Sequence, residues 1–114
     1  MSDCLFCKIA THEIKAKLVY ENEVVVAFHD INPKAPTHIL VIPKQHIATL
    51  NDISSDTFGI IGSMTKAAQH IAKDLGHAED GFRLVMNCNK DAGQTVFHIH
   101  LHLLAGRTMD WPPG

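Results

Sequence analysis

Residues 96–104 read Val96-Phe97-His98-Ile99-His100-Leu101-His102-Leu103-Leu104, three imidazoles spaced by two with an aliphatic or aromatic residue on either side of each. Such alternation is the period of a β-strand, so His98, His100 and His102 belong to one face. Phe97, Ile99, Leu101 and Leu103 belong to the other, and their apolar character marks it as core. A strand rises about 3.3 Å per residue, which puts the outer histidines roughly 13 Å apart at Cα, too far for both to reach one Zn²⁺ through bonds of about 2.0 Å. One metal site built from all three is therefore excluded. An adjacent His-x-His pair can still chelate a metal, or the rings can divide the labour, one as nucleophile or base and the others holding substrate or a structural ion. The bland alternative, a stripe of idle surface imidazoles, sits poorly with the low strand preference of histidine.

Other residues suited to chemistry lie elsewhere in the chain. Cys4-x-x-Cys7 spaces two thiols one helical turn apart, suitable for one zinc ion if histidines complete the set, and otherwise two small buried hydrophobes. Asp30, on a loop stiffened by Pro33 and Pro36, can accept hydrogen bonds from a sugar diol or simply serve the turn. Gly93 permits close approach of backbone N–H groups to an anion, and Gln94 and Thr95 add side-chain donors beside the histidine row, together a candidate phosphate site.

The elements that must position these groups are legible as well. Residues Cys4 to Thr11 suit a short helix with Leu5, Phe6 and Ile9 inward. Leu18–Tyr20 and Val24–Phe28 flank a turn as a hairpin, Ile39–Ile42 forms a third strand ended by Pro43, and Phe82–Cys88 a fourth that returns through 89–95 into the histidine strand. Ser54 or Ser55 caps a long helix running to Leu75 with Gly76 as its stop, its apolar stripe being Phe58, Ile61, Met64, Ala68, Ile71, Ala72 and Leu75. Gly59 and Gly62 within it hint at close approach by another element, such as a partner subunit.

A length of 114 residues, 46% of them apolar, with a formal charge of −2, describes one globular domain. No basic block suggests nucleic-acid binding, no apolar run suits a bilayer, and Met1-Ser2-Asp3-Cys4 does not begin a signal peptide, so the expectation is a cytoplasmic protein without membrane or nucleic-acid partners. Three cysteines, an odd number, argue against a disulfide scaffold.

The run His98-Ile99-His100-Leu101-His102-Leu103-Leu104 resembles the signature of the histidine triad (HIT) family, His-φ-His-φ-His-φ-φ with φ apolar, and matches it in full. Phe28-His29-Asp30-Ile31, Ala35-Pro36-Thr37-His38, Ile42-Pro43-Lys44-Gln45-His46, Gly93-Gln94-Thr95 and Trp111-Pro112-Pro113-Gly114 are similar to its Hint branch. The resemblance implies a single HIT domain over residues 1–114, an α+β fold with a five-stranded antiparallel sheet, one long helix and a short N-terminal helix. It also implies a homodimer with a continuous ten-stranded sheet, the tail with Trp111 reaching toward the partner's site.

By the same resemblance His100 is the nucleophile, attacking the α-phosphorus of a purine nucleoside 5′-phosphoramidate or related adenylate, while a main-chain carbonyl in its own strand fixes its tautomer. His102 donates to phosphate near the leaving group, His38 supports the network and His98 completes the catalytic row. Asn87, Gly93, Gln94 and Thr95 contact phosphate and leaving group, Thr95 standing where serine is common. Leu5, Phe6, Phe28, His29, Ile31 and Leu40 wall the purine pocket, and Asp30 holds the ribose. Family members with an N-terminal C-x-x-C imply a structural Zn²⁺ on Cys4, Cys7, His46 and His98; no organic cofactor is implied, and Mg²⁺ is not obviously required. Rival readings are a dinucleoside polyphosphate hydrolase of the same family, a purine-nucleotide-binding regulatory dimer with incidental turnover, and a His-x-His zinc hydrolase, which lacks an evident third ligand.

Overall fold

A computed structural model describes residues 3–114. Five strands, β1 (Leu18–Glu21), β2 (Val25–His29), β3 (Thr37–Pro43), β4 (Phe82–Val85) and β5 (Leu101–Ala105), make one antiparallel sheet in the order β1-β2-β3-β5-β4. The histidine-bearing segment thus enters the sheet between β3 and β4, rather than at an edge. Among the described residues three α-helices, α1 (Leu5–Ala10), α2 (Phe58–Asp74) and the single turn α3 (Asn89–Ala92), and a 3-10 turn at Leu50–Asp52 complete the fold.

The sheet is covered on both sides, and strand alternation decides which residue faces which helix. Val25, Ala27, Ile39, Val41, Leu101 and Leu103 pack against Met64, Ala67, Ala68, Ile71 and Ala72 of α2. Their alternates Val26, Phe28, Leu40 and Ile42 pack against Phe6, Ile9 and Ala10 of α1. Burial on both faces explains why β2 reads as an unbroken apolar run. Helix α1 is too short to persist alone, so its place depends on this packing and on the groups around Cys4 and Cys7.

Several expectations are corrected at this level. Ladder pairing begins only at Leu101, so residues 96–100 lie outside the ladder, with the chain bending at 96–98, and Phe97 is 48% exposed instead of joining the core. Leu5 is likewise exposed, at the edge of a cleft. Helix α2 starts at Phe58: Ser54 and Thr57 bond each other in a preceding turn, and Thr57 at the N-cap makes no side-chain cap bond. Phe58 (62% exposed) and Leu75 consequently overhang the sheet. Among the described residues, nothing beyond the adjoining stretch of α2 comes within 4 Å of a Cβ built on Gly59 or Gly62, so no close approach by another element of the chain explains them. The fourth strand ends at Val85, and the expected hairpin loop winds into α3, closed by Gly93 in the left-handed region (φ +83°). Among the described residues no helix is long and apolar enough to cross a membrane.

Candidate active site

Register places the first half of the site. Phe28 pairs with Leu40, and Leu40 with His102, so these three side chains form a row across β2, β3 and β5 on the α1 face. His38, two residues before Leu40, shares that face. With α1 laid over this side, the row becomes the floor of an open cleft of about 970 Å³.

Leu5, Phe6, Phe28, His29, Asp30, Ile31, Leu40, Thr95, His100 and His102 all line the cleft, a set drawn from five separate stretches of sequence. Ile9, Ile14, Lys15, Ala16, Lys17 and Val96 line it as well and were not anticipated. Residues 14–17 did carry a signal: the alternation of Ile14 and Ala16 with Lys15 and Lys17 has strand spacing just before β1. Asn87, Gly93, Gln94 and Trp111 are not among the lining residues. Gln94 is buried with its amide committed to backbone: Oε1 accepts from the Asn89 N–H (2.8 Å), while Nε2 donates to the Ala48 and Val96 carbonyls (2.8 and 3.0 Å). A buried amide spends its donors and acceptor on whatever surrounds it, so Gln94 clamps the turn before the histidines instead of offering a free donor. The Gly93 N–H likewise goes to the Lys90 carbonyl. Trp111 is 82% exposed, with the Arg83 guanidinium 6.0 Å from its ring centroid.

Backbone groups set the protonation of each imidazole in the row. A carbonyl only accepts and an amide N–H only donates, so a ring nitrogen facing either has its hydrogen assigned. His100 Nδ1 lies 2.8 Å from the His98 carbonyl and must donate to it, which leaves the lone pair of the uncharged ring on Nε2. His98 Nε2 donates to the Pro43 carbonyl at 2.8 Å, leaving its Nδ1 lone pair free. The Lys34 N–H donates to His38 Nδ1 at 3.0 Å, so the hydrogen of neutral His38 is on Nε2. That hydrogen reaches His102 Nδ1 at 2.9 Å, and His102 in turn keeps its own hydrogen on Nε2. Toward the cleft the row therefore offers one lone pair, on His100, and one donor, on His102.

Burial favours the uncharged form of His98, His38 and His102. It pushes His98 and His38 below the ordinary imidazole range and takes His102 down to about 4, with repulsion from His100 and His38 adding at His102. A folded pKa below the unfolded one means that the unfolded chain binds protons more readily. The stabilisation is thus complete above about 6.5 and is lost as pH falls from there toward 4. Discounted for partial exposure, His102 contributes on the order of 2 kcal/mol of this. Denaturant unfolding followed between pH 7.5 and 4 should show stability falling with acid, and His102→Asn should flatten the slope by up to about one proton. An unchanged slope would contradict a neutral His102.

The His98 Nδ1 lone pair points into a second cluster. It lies 3.4 Å from Cys4 Sγ, 3.5 Å from Cys7 Sγ and 3.2 Å from His46 Nδ1, and Cys7 Sγ is 3.3 Å from His46 Nδ1. A tetrahedron with bonds of about 2.3 Å to sulfur and 2.0–2.1 Å to nitrogen has edges of about 3.3–3.8 Å, so the four donors fit a zinc ion as they stand. Desolvation, reinforced by Cys4, raises the Cys7 thiol, which a bound cation would reverse. Because His98 faces the sulfurs and His100 bonds the His98 carbonyl, the two rings serve different partners and do not chelate one metal together. Asp30, His38 and His102 also converge within 4.8 Å, but the Lys34 N–H on His38 Nδ1 requires hydrogen on Nε2, the atom a metal would need.

Comparison with known proteins identifies relatives over nearly the whole chain. The HIT domain family model matches residues 11–109. The chain is 49% identical to the purine nucleoside phosphoramidase of Escherichia coli (strain K12) over 107 residues, 94% of this chain and 90% of that protein. A HIT family hydrolase from Legionella pneumophila superposes with a TM-score of 0.96 at 53% identity, covering 98% of this chain and all of the other. A HIT family hydrolase from Clostridium thermocellum gives 0.93 at 49% identity, covering 96% of each.

Proposed function

The chain belongs to the HIT domain family, and on that premise we propose that it hydrolyses the P–N bond of purine nucleoside 5′-phosphoramidates and related adenylates through a nucleotidyl-histidine. The observation that carries the reading is the hydrogen bond from His100 Nδ1 to the His98 carbonyl, which leaves His100 Nε2 as a nucleophile on the wall of the cleft. Attack by Nε2 on the α-phosphorus expels the amine, and water then cleaves the N–P bond to release AMP or GMP. Over the cycle that water supplies the hydroxyl on phosphorus and the hydrogen carried off by the amine. The two steps together replace one difficult displacement by two easier ones. His102 Nε2–H donates to a phosphoryl oxygen as charge develops, the Thr95 hydroxyl adds a donor from the cleft wall, and Asp30 accepts from the ribose hydroxyls. Phe6, Phe28, Ile31 and Leu40 sandwich the purine.

Zinc on Cys4, Cys7, His46 and His98 is structural in this reading: it ties α1 to the segment that carries His98, whose carbonyl orients His100. A homodimer belongs to the same reading, supported by the unpaired edge of β4 and the exposed Trp111 beyond it.

The test is turnover of a fluorogenic adenosine phosphoramidate against a diadenosine polyphosphate. The phosphoramidate should be preferred by at least about a hundredfold in kcat/KM, a difference of about 2.7 kcal/mol in transition-state binding. The reverse preference would establish the dinucleotide hydrolase. Absent turnover with retained AMP binding would favour a regulatory nucleotide-binding dimer.

A further inference from the structure

Asp30 does more at this site than the turn or the ribose requires. Its Oδ1 accepts the Asn32 N–H at 2.7 Å, which pins the carboxylate, and its Oδ2 then lies 3.4 Å from His38 Nε2 with only 18% of the side chain exposed. The same Nε2–H donates to His102 Nδ1 at 2.9 Å, so the carboxylate oxygen lies beside the donating nitrogen without taking its hydrogen. We propose that Asp30 is a positioning residue for the His38–His102 pair, holding the hydrogen-bond direction that arms His102, in addition to gripping the nucleoside.

A carboxylate oxygen beside Nε2 disfavours a bare lone pair there, so the hydrogen stays on His38 and His102 must keep its own on Nε2, toward the cleft. The Lys34 N–H secures the opposite side of the His38 ring. The ring is thus held on two edges by partners of opposite polarity, and reversing either one opposes the chain. Oδ2 has a second lone pair for a ribose hydroxyl, so nucleoside recognition and the donor strength of His102 meet on one oxygen.

The inference rests on the nucleotidyl-hydrolase reading and is separable from it. In Asp30→Asn the Asn32 N–H still needs an acceptor, which turns the amide NH₂ against the His38 N–H; Asp30→Ser keeps an oxygen for the turn and removes Oδ2. Both variants are assayed on an adenosine phosphoramidate and on its 2′,3′-dideoxy analogue, from which the ribose contact is missing. We expect kcat on the dideoxy substrate to fall at least about tenfold with KM within about twofold of wild type. Long-range ¹H–¹⁵N spectra should show His102 losing its Nε2-protonated signature in Asp30→Asn, where the new amide donor opposes the Lys34 N–H, and keeping it in Asp30→Ser, while His100 keeps its Nδ1-protonated one in both. Wild-type kcat on the dideoxy substrate, with losses confined to KM on the ribose substrate, would overturn the proposal, as would an unchanged His102 signature in Asp30→Asn. If the wild-type protein turns over neither substrate, the functional reading fails, while the spectra still decide the hydrogen-bond direction.

Discussion

His100→Asn is expected to lower kcat for phosphoramidate hydrolysis by about a thousandfold or more, with nucleotide affinity changed only several-fold. The asymmetry follows from the geometry. Asparagine can still donate its amide toward the His98 carbonyl and occupy the cleft wall, so the pocket of Phe6, Phe28 and Leu40 keeps its shape. It has no ring lone pair to form the bond to phosphorus, and no other uncommitted imidazole nitrogen of the row can take over. His98 Nδ1 faces the cysteines, and His102 Nδ1 is occupied by the His38 N–H. Losing a donor costs less than losing a nucleophile, so His102→Ala should fall by only about 10²–10³-fold. Rapid quenching followed by intact-mass analysis should show a nucleotidyl adduct on the wild-type protein and none on His100→Asn. Equal rates for the two proteins would remove the nucleophile assignment.

Disrupting the Cys4, Cys7, His46 and His98 cluster is the second large effect expected. Protein purified without added zinc should hold close to one equivalent, and Cys4→Ser with Cys7→Ser should hold almost none. A metal bound a thousand times more tightly than its free concentration requires stabilises by about 4 kcal/mol, which for a domain of this size is a fall of about 15 °C or more in Tm. The loss is transmitted to activity, since α1 carries Phe6 and Ile9 onto the cleft and the His98 backbone holds His100. The double variant should therefore lose kcat as well as stability. Less than about a tenth of an equivalent of zinc in the wild-type protein, or an unchanged melt in the variant, would count against a metal-bearing cluster.

How far the fold was legible varies by residue. β2 and β3 are legible as short apolar runs, but with both faces apolar their spacing does not say which residue meets which helix, whereas α2 is legible from its 3.6-residue stripe. Phe97 was misplaced because the same alternation continues through residues where no neighbouring strand pairs with the chain. From the sequence Gln94 reads as a free donor, because its type suits phosphate. Its burial against Ala48, Asn89 and Val96 is a product of how distant segments meet.

The sequence by itself determined the chemistry available: a row of imidazoles, a pair of thiols one turn apart and a carboxylate on a stiff loop, since side-chain type and strand or helix period are properties of short stretches. Only the tertiary structure decided what each imidazole does. Pro43, Lys34 and the His98 carbonyl assign the ring hydrogens, and Cys4 and Cys7 meet His46 and His98 across more than thirty-eight residues of chain. Hydrogen-bond direction depends on which backbone donor or acceptor a ring faces, and that is fixed by long-range packing and strand register, which leave no periodic trace in the sequence.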